Sequence, residues 1–549
     1  MKPAPDRIYD TLKRYWGFTE FRPVQLEIIR SVLEGRDTLA LMPTGGGKSL
    51  TYQVPTLARE GLCIVVTPLI ALMKDQVDRL RARAVPAAAI HSGLSPRAID
   101  IALDNCVYGD VKFLYVAPER LATEAFRLRV VRMNISLVAV DEAHCISQWG
   151  YDFRPSYLRI AELREKLPGV PVLALTASAT KTVADDIMRH LKFPEPHILR
   201  SSFARPNLSY SGRRTDDKNG QLLRLVRNVP GTGIVYVRTR EGTEQIADLL
   251  RQEGTTAAAY HGGLGHAERS LRQEEWVSGR TRVMVATNAF GMGIDKPDVR
   301  YVIHYDIPKS LEGYYQETGR AGRDGGEGYC LTFYSYKDIQ KLEKFMQGKP
   351  IAEQEIGKLL LLETVSYAES SMCRRKTLLH YFGEDYTEDN CGNCDNCRNP
   401  KPKVDARAAL KMALEALRDI GDKFKADYLV NVLVGKTTAL IKSYGHNKSK
   451  WFGAGAEHDA RFWGAVLRQA LILGLIDKNI ENYGLISVNK KGEGYIALPF
   501  PVTVTLDHDY DEEEKESESV APMGKGGAAD EELFSMLKDL RKKVAKQHS

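Results

Sequence analysis

The sequence predicts an α/β protein in which two successive domains, each a parallel sheet flanked by helices, precede a cysteine-rich helical module and a winged-helix domain. Three observations predict this arrangement. Short continuous apolar runs alternate with helical patterns through residues 1–339, which is typical of buried parallel strands. Four closely spaced cysteines follow. The next segment has helical patterns that end in a short hairpin.

Size and composition set the limits. A chain of 549 residues is too long for one core and should form about three or four domains. We find no apolar run long enough to cross a bilayer and no secretory signal at Met1-Lys2-Pro3, so we expect no membrane partner. The net charge of +6 permits nucleic-acid binding without arguing for it. Four of the eight cysteines lie singly in or near apolar runs, which indicates buried free thiols in a reducing compartment.

The stretch MPTGGGKSL, Met42 to Leu50, predicts a nucleotide site in the first domain. A strand, a glycine-rich turn and a helix in succession present backbone N–H groups to an anion. Lys48 would reach the β- and γ-phosphates, and the Ser49 hydroxyl would bind Mg²⁺. The strict pattern has Gly where this chain has Met42, so a flexible surface loop is the alternative. The residues assigned to the nucleotide here are Thr44, Gly45, Gly46, Gly47, Lys48 and Ser49.

Two carboxylates follow a predicted strand of the same domain. The predicted strands are Thr38–Leu41, Leu62–Leu69, Phe113–Ala117, Leu137–Val140 and Val172–Leu175. Asp141 and Glu142 come directly after the fourth strand, at the sheet edge where ligands bind in α/β folds. Asp141 would hold Mg²⁺, and Glu142 would orient or deprotonate the water that attacks the γ-phosphate. The alternative is a solvated acidic turn.

The segment His144–Tyr157 combines aromatic residues with Gly150 and Pro155 in a predicted loop. Exposed aromatic side chains stack on bases at about 1–3 kcal/mol each. The DNA contacts predicted here are Trp149, Tyr151, Phe153 and Arg154. Burial of these rings in the core is the alternative.

The second domain has no second phosphate loop, but it has a pair of arginines. Its strands are predicted at Ile234–Val237, Ala257–Tyr260, Val283–Ala286 and Tyr301–His304. The segment from Gln316 to Arg323 places Arg320 and Arg323 three residues apart, and we expect both on a first helical turn that faces a cleft. Arginine binds phosphate in a bidentate manner and can stabilise the transition state. An ordinary basic helix start is the alternative.

Cys373, Cys391, Cys394 and Cys397 have the spacing of a tetrahedral metal site. Four thiolates leave no open position, so a bound zinc would be structural. An iron–sulfur cluster and a disulfide are the alternatives.

The segment 405–500 predicts helices at Ala408–Ile420, Ala426–Val434 and Asp459–Leu473. A hairpin of Leu475–Ile480 and Leu485–Val488 follows, and Tyr483 would lie at its tip. Such a tyrosine could act as a strand-separating wedge, or it could be exposed and idle. Residues 507–529 read as an acidic, glycine-rich linker.

Seven stretches, taken in order, are similar to the motif series of superfamily 2 helicases: FRPVQ, MPTGGGKS, TPLIALMKDQ, DEAH, TASAT, ATNAFGMGIDKPDVR and QETGRAGRDG. The longer stretches DEAHCISQWGYDFRPSY and YYQETGRAGRDG resemble the RecQ family of DNA helicases. The resemblance covers about residues 5 to 500.

The resemblance implies two RecA-like domains with ATP between them. Phe18, Arg22 and Gln25 would cradle the adenine. Asp295, Gln316 and Arg320 would complete the site from the second domain, with Arg323 as the arginine finger. The implied cofactors are ATP, Mg²⁺ and Zn²⁺.

The implied activity is 3′ to 5′ translocation on single-stranded DNA, with unwinding of duplex or branched DNA in recombination, repair, replication and the SOS response. The implied partners are single-strand DNA-binding protein and topoisomerase, in a bacterial cytoplasm at the nucleoid. An RNA-directed helicase and a nucleotide-gated DNA clamp are the alternatives; the first is disfavoured by the cysteine and winged-helix segments, the second by intact Lys48, Glu142 and Arg323.

The expected domains are 1–203 and 204–339 for the RecA-like pair, 340–403 for the zinc module, 404–503 for the winged helix, 504–529 for the linker and 530–549 for a C-terminal helix. That last helix resembles the start of the helicase-and-RNase-D C-terminal domain, as a remnant or as part of a fragment.

Overall fold

The computed structural model describes residues 5–150, 152–215, 217–291, 296–335, 351–479 and 484–506. Three predicted site residues, Tyr151, Asp295 and Tyr483, lie outside the described residues. Most of the predicted linker and the whole C-terminal helix also lie outside them.

The first lobe, residues 5–200, is a seven-stranded sheet in which every pairing is parallel. The strand order is β3-β4-β2-β5-β6-β1-β7. The strands are β1 Thr38–Leu41, β2 Leu62–Val66, β3 Ala87–Ile90, β4 Phe113–Val116, β5 Ile135–Val140, β6 Val172–Thr176 and β7 Ile198–Arg200. All five strands predicted for this lobe are present, and the second ends before Pro68, which cannot donate to a ladder.

Helices cover both faces of this sheet. The α-helices are Pro5–Trp16, Pro23–Leu33, Leu50–Leu57, Ile70–Ala82, Pro96–Tyr108, Glu124–Val130, Ile160–Glu165 and Lys181–His190, and the 3₁₀ helices are Pro118–Ala122, Ala143–Ile146 and Pro155–Arg159. Alternate residues of β2 enter different cores: Ile64 and Val66 enter one cluster, Cys63 and Val65 the other. This alternation is the two-residue period of a strand that is buried on both faces.

The N-terminal segment forms two helices, Pro5–Trp16 and Pro23–Leu33, rather than one. They are separated because Gly17 takes a left-handed φ of +75° and Pro23 restricts Arg22 to an extended conformation.

The second lobe, residues 208–334, is a six-stranded parallel sheet of order β10-β11-β9-β12-β13-β8. The strands are β8 Leu208–Arg214, β9 Thr232–Tyr236, β10 Ala257–Tyr260, β11 Val283–Ala286, β12 Val299–His304 and β13 Gly328–Tyr334. The described helices are Lys218–Asn228, Arg240–Gln252, His266–Val277 and Leu311–Thr318.

The remaining described residues form the cysteine module and the winged helix. The helices of the module are Ile351–Glu369, Arg374–Tyr381 and Asp395–Arg398. The winged helix has α-helices Arg407–Ile420, Ala426–Leu433, Ala439–Ser443, Ala460–Ile472 and Lys490–Ala497, with a 3₁₀ turn at His446–Lys448. Its antiparallel pairs are β14 Lys403–Asp405 with β17 Thr503–Thr505, and β15 Ile476–Asn479 with β16 Leu485–Val488. The predicted hairpin is therefore confirmed.

The long helix Ile351–Glu369 contacts the second lobe on one side and the winged helix on the other. Its apolar residues Leu361 and Val365 pack in a cluster with Ile307 and Tyr334. On the other side, three polar bonds reach the winged helix: Lys478 Nζ to Glu363 Oε1 at 2.6 Å, Arg468 Nη1 to Ser366 Oγ at 2.6 Å and Lys425 Nζ to Glu355 Oε2 at 3.4 Å. Among the described helices, none has the length and apolar character needed to cross a membrane.

Candidate functional site

The glycine-rich loop lies between β1 and helix Leu50–Leu57, with Ser49 at the helix start. Gly45 and Gly47 have left-handed φ values of +79° and +77°. A Cβ on Gly46 would lie 2.9 Å from the Pro43 carbonyl oxygen, so a residue with a side chain would clash at this position of the loop. The buried Thr44 hydroxyl has no hydrogen-bond partner among the described residues. A row of backbone amides beside an unpartnered hydroxyl fits the phosphates of a nucleotide.

The predicted adenine residues lie beside this loop. Buried Gln25 donates from Nε2 to the carbonyl oxygens of Gly46 and Gly47, at 3.0 and 3.4 Å. Arg22 donates from Nη1 to the Gly45 carbonyl at 3.1 Å, while Phe18 is 54% exposed. The structure therefore places Gln25 and Arg22 as supports of the loop backbone and leaves the Phe18 ring open to solvent.

Asp141 and Glu142 follow β5 at the carboxyl edge of the first sheet, next to Lys48. Burial and the neighbouring Glu142 carboxylate raise the pKa of Asp141, and the Lys48 ammonium opposes that rise. Glu142 has a left-handed φ of +49°, a conformation that is strained for a residue with a side chain. Such strain persists only where the surroundings fix it, and it aims the Glu142 carboxylate into the site.

His144 links this carboxylate to the TASAT segment. Its Nδ1 lies 3.0 Å from Thr176 Oγ1 and 3.4 Å from Glu142 Oε2. Burial lowers the pKa of His144, which favours the neutral ring. Thr176 therefore connects to the Glu142 carboxylate through His144.

The second lobe contributes one glutamine and two arginines. Gln316 Nε2 lies 3.5 Å from Glu142 Oε2 across the interface between the lobes. Arg320 is 4% exposed, and its Nε has no hydrogen-bond partner within the part of the chain that the structure describes. A Cβ on Gly45 would lie 3.4 Å from Arg323 Cγ, so the stem of Arg323 passes against the glycine-rich loop. The three side chains therefore meet the first lobe where phosphates would lie.

The predicted helical setting of the arginines is wrong. Helix Leu311–Thr318 ends before them, and they lie in the turn of residues 319–326, here called the arginine turn. Tight glycine contacts shape this turn: a Cβ on Gly322 would lie 2.4 Å from the Gly326 carbonyl oxygen. The backbone of a turn, rather than a helix, directs the two side chains.

Sequence reasoning missed Arg205, in the segment between the two sheets. Its Nη1 donates to the carbonyl oxygens of Thr44 and Gly319, at 3.3 and 3.1 Å. Its Nη2 donates to those of Ala321 and Gly322, at 2.8 and 3.1 Å. Bonds to backbone carbonyls place no requirement on partner residue types, so the only sequence signal was an Arg-Pro-Asn triplet between two domains.

The predicted DNA loop follows the 3₁₀ helix Ala143–Ile146 without regular structure up to Arg154, within the described residues. Trp149 is half-buried and packs against the apolar cluster that contains Ile64 and Val66. Phe153 is also half-buried. Arg154 pairs with Asp152 at 3.0 Å and donates to the Pro68 carbonyl at 3.4 Å. Tyr157 is fully buried, and its hydroxyl donates to the Asp141 carbonyl at 2.9 Å. The loop is thus fixed to the carboxylate segment through Tyr157 and to the residues after β2 through Arg154.

The four clustered cysteines come together in the third module. Their sulfur atoms all lie within 4.8 Å of one another, and all eight cysteines of the chain are free thiols. The backbone amides of Lys376 and Cys391 point to the sulfurs of Cys373 and Cys397, at 3.5 and 3.4 Å. The disulfide alternative is therefore wrong, and the donor set fits a closed tetrahedral Zn²⁺ site with amide hydrogen bonds to the thiolates.

Family models match four successive parts of the chain. They are described as DEAD/DEAH box helicase over residues 22–187, helicase conserved C-terminal domain over 217–325, RecQ zinc-binding over 336–398 and RQC domain over 400–513. Each match falls on the corresponding module of the fold.

Named relatives agree with these matches. The chain is 38% identical to the "ATP-dependent DNA helicase RecQ" of Pasteurella multocida, covering 99% of this chain and 86% of the relative. It is 36% identical to the "Putative ATP-dependent RNA helicase R290" of Acanthamoeba polyphaga mimivirus, covering 89% and 92%. A solved structure of the Mycobacterium smegmatis helicase Lhr, bound to single-stranded DNA and AMP-PNP, is similar at a TM-score of 0.50 and 19% identity, covering 70% of this chain and 57% of Lhr. This last likeness concerns the fold alone.

Proposed function

This chain belongs to the RecQ family of ATP-dependent DNA helicases, and from that premise we propose that it translocates 3′ to 5′ on single-stranded DNA and separates duplex or branched DNA. It is an ATP-dependent DNA helicase with a part in recombination and repair, and its cofactors are ATP, Mg²⁺ and Zn²⁺. The direction of travel is typical of the family.

One observation carries the mechanism: the glycine-rich loop, the Glu142 carboxylate and the arginine turn meet at one interface between two parallel sheets. Gln316 approaches Glu142 at 3.5 Å, and the stem of Arg323 passes Gly45. An interface of this kind can open and close with nucleotide binding, which turns hydrolysis into relative motion of the lobes.

We assign the nucleotide as follows. The amides of Gly45 to Ser49 and the Lys48 ammonium would bind the β- and γ-phosphates. Ser49 and Asp141 would hold Mg²⁺, whose charge would offset the repulsion between the Asp141 carboxylate and the phosphates. The Phe18 ring, open to solvent, can stack on adenine while Gln25 holds the loop backbone.

Glu142 would orient the attacking water and accept its proton, with neutral His144 and Thr176 holding the carboxylate in place. Arg320 and Arg323 would stabilise the charge that develops on the γ-phosphate. Asp295, a residue outside the described ones, stays a family-based prediction in this set.

DNA binding is proposed for the loop that holds Trp149, Tyr151, Phe153 and Arg154. Its anchorage to the Asp141 carbonyl through the Tyr157 hydroxyl supports a role in signalling DNA occupancy to Glu142. Tyr483 stays a predicted wedge at the hairpin tip: stacking of about 1–3 kcal/mol matches about one base-pair step.

Further assignments belong to the same proposal. The domain boundaries at 203, 339, 403 and 503, action at the bacterial nucleoid, and binding of single-strand DNA-binding protein and topoisomerase are expectations of the family resemblance. The four cysteines would hold a structural Zn²⁺ that contributes folding energy to their module.

The experiment is ATP hydrolysis with and without single-stranded DNA, on the native chain and on Lys48→Ala. We expect strong stimulation by DNA in the native chain and its loss in the variant, because Lys48 is the cation assigned to the phosphates. Absence of stimulation in the native chain would contradict the motor and favour the clamp.

The mimivirus relative, whose name refers to RNA, gives the second candidate an observation of its own. A matched RNA strand in the same assay decides between the two. Stimulation by DNA and not by RNA supports the DNA helicase, and the reverse result supports an RNA-directed enzyme.

A further inference from the structure

Arg205 joins the two halves of the nucleotide site by hydrogen bonds alone. Its guanidinium donates to the Thr44 carbonyl of the glycine-rich loop and to three carbonyls of the arginine turn, those of Gly319, Ala321 and Gly322. One planar group with two amino ends thus touches both the loop that would bind phosphate and the turn that carries Arg323. A guanidinium suits this task because its donors are rigidly arranged and it is always charged.

The two halves are in close contact where Arg205 joins them. A Cβ on Gly319 would lie 3.3 Å from Thr44 Cβ and Oγ1, so the turn approaches the loop as closely as glycine permits. The backbone at Arg205 is itself fixed by hydrogen bonds from the cysteine module. Arg375 of the cysteine module donates from Nη2 to the carbonyls of Arg205, Pro206 and Leu208, at 3.3, 3.2 and 3.0 Å.

Asn207, two residues along, hydrogen-bonds to the second lobe. Its Nδ2 donates to the Gly322 and Gly326 carbonyls at 2.8 and 2.7 Å. Arg205 and Asn207 therefore both stabilise the arginine turn, but within the described hydrogen bonds only Arg205 also reaches the glycine-rich loop. Variants of the two residues can therefore tell an effect on the stability of the turn from an effect on its position relative to the phosphate loop.

We propose that Arg205 is a positioning residue for hydrolysis, which fixes the distance between the arginine turn and the phosphate loop. This inference rests on the proposed function of the interface as an ATP site. Arg205 does not contact the reacting atoms; it acts through Arg323. Misplacement of a catalytic group by about 1 Å can cost about 10²-fold in rate. Loss of the hydrogen bonds that Arg205 makes to the turn and the loop should therefore lower kcat without weakening ATP binding.

The test compares Arg205→Lys and Arg205→Met with the matched control Asn207→Ala, all in the full chain with saturating single-stranded DNA. A lysine keeps the charge but cannot reach four carbonyls at once. We expect both Arg205 variants to lose about 10²-fold in kcat, with KM for ATP changed less than about threefold. Asn207→Ala should lower the thermal midpoint while keeping most of the native kcat.

Affinity for ADP with aluminium fluoride, a mimic of the transferring phosphoryl group, gives a second readout. In the Arg205 variants it should fall by the same factor as kcat, while affinity for ADP alone holds. The proposal is overturned if kcat is retained, if ADP affinity falls in parallel, or if Asn207→Ala gives the same loss. If the native chain shows no DNA-stimulated hydrolysis, the proposed function fails. The ratio of the two nucleotide affinities still tests whether Arg205 positions the arginine turn.

Discussion

The two lobes share a fold but organise their reactive groups in different ways. In the first lobe, Asp141 and Glu142 directly follow the buried strand β5, and Lys48 lies in the glycine-rich loop after β1. In the second lobe, Arg320 and Arg323 follow the end of a helix and lie in the arginine turn. Arg205 and Asn207 donate hydrogen bonds to carbonyls of this turn. The difference leads us to expect that nucleotide binding is a property of the first lobe, whereas hydrolysis under the proposed assignment requires both lobes.

Arg323→Ala tests this division most strongly. Removal of the guanidinium should lower kcat by about 10³–10⁵-fold, because the proposed arginine finger would stabilise charge only in the transition state. ATP affinity, measured by a fluorescent analogue, should remain near the native value because the proposed phosphate contacts belong to the first lobe. Arg323→Lys is the control that keeps charge without the planar fork. An equal loss of ATP affinity in both variants would contradict the division.

Gly47→Ala strains the glycine-rich loop of the first lobe instead. The added Cβ would lie 2.4 Å from Gln25 Nε2, at a residue whose φ is +77°. Strain of about 1–3 kcal/mol should therefore lower ATP affinity by about 10- to 100-fold.

The control for that change is Gly35→Ala, because Gly35 has a similar φ of +81° with nothing within 4 Å of the new Cβ. Both variants bear the backbone strain, but only the first displaces Gln25. If Gly35→Ala weakened ATP binding as much, the supporting role of Gln25 would be disproved.

A smaller effect concerns Glu312, the buried carboxyl of the second lobe. Burial raises its pKa from 4.5 to about 7, although the Tyr381 hydroxyl donates to Oε1 at 2.6 Å. A carboxyl whose folded pKa is raised favours the native state below its ordinary pKa and loses that advantage as pH rises towards about 7. Unlike Asp141, it has no cation among the causes that shift it.

Glu312→Gln removes this titration but keeps an oxygen for Tyr381. The stability of the variant relative to the native chain should rise by about 1 kcal/mol between about pH 6 and about pH 8. Thermal midpoints at the two pH values measure the difference. Parallel pH dependence in the two proteins would show that Glu312 is not protonated in the native state.

The same contrast explains which features could be predicted from the sequence. Lys48 and Asp141 could be found because each follows a continuous apolar run, and the four cysteines because their spacing matches a metal site. The edge strand β10 was predicted, but the other three edge strands of the two described parallel sheets were missed: β3 is alanine-rich, β7 has three residues, and β8 alternates with serine, glycine and arginine. These edge strands lack the apolar runs by which central strands are recognised.

β13 was missed although it is largely apolar, and its neighbours in the sheet, β12 and β8, are distant along the chain. The supports of the site could not be predicted for a different reason. Gln25 and Arg205 bind backbone carbonyls, and a carbonyl is present at every residue. Only the folded chain shows which ones they reach.

The long helix Ile351–Glu369 has a mechanical consequence. Nineteen residues make a rod about 28 Å long, anchored to the second lobe by Val365 and to the hairpin by the bond of Lys478 to Glu363. The two anchors are two residues apart, so the helix ties the hairpin and the second lobe together at nearly the same point along its length. We therefore expect the hairpin to follow the second lobe directly when the interface between the lobes opens or closes, with little change in the size of the movement.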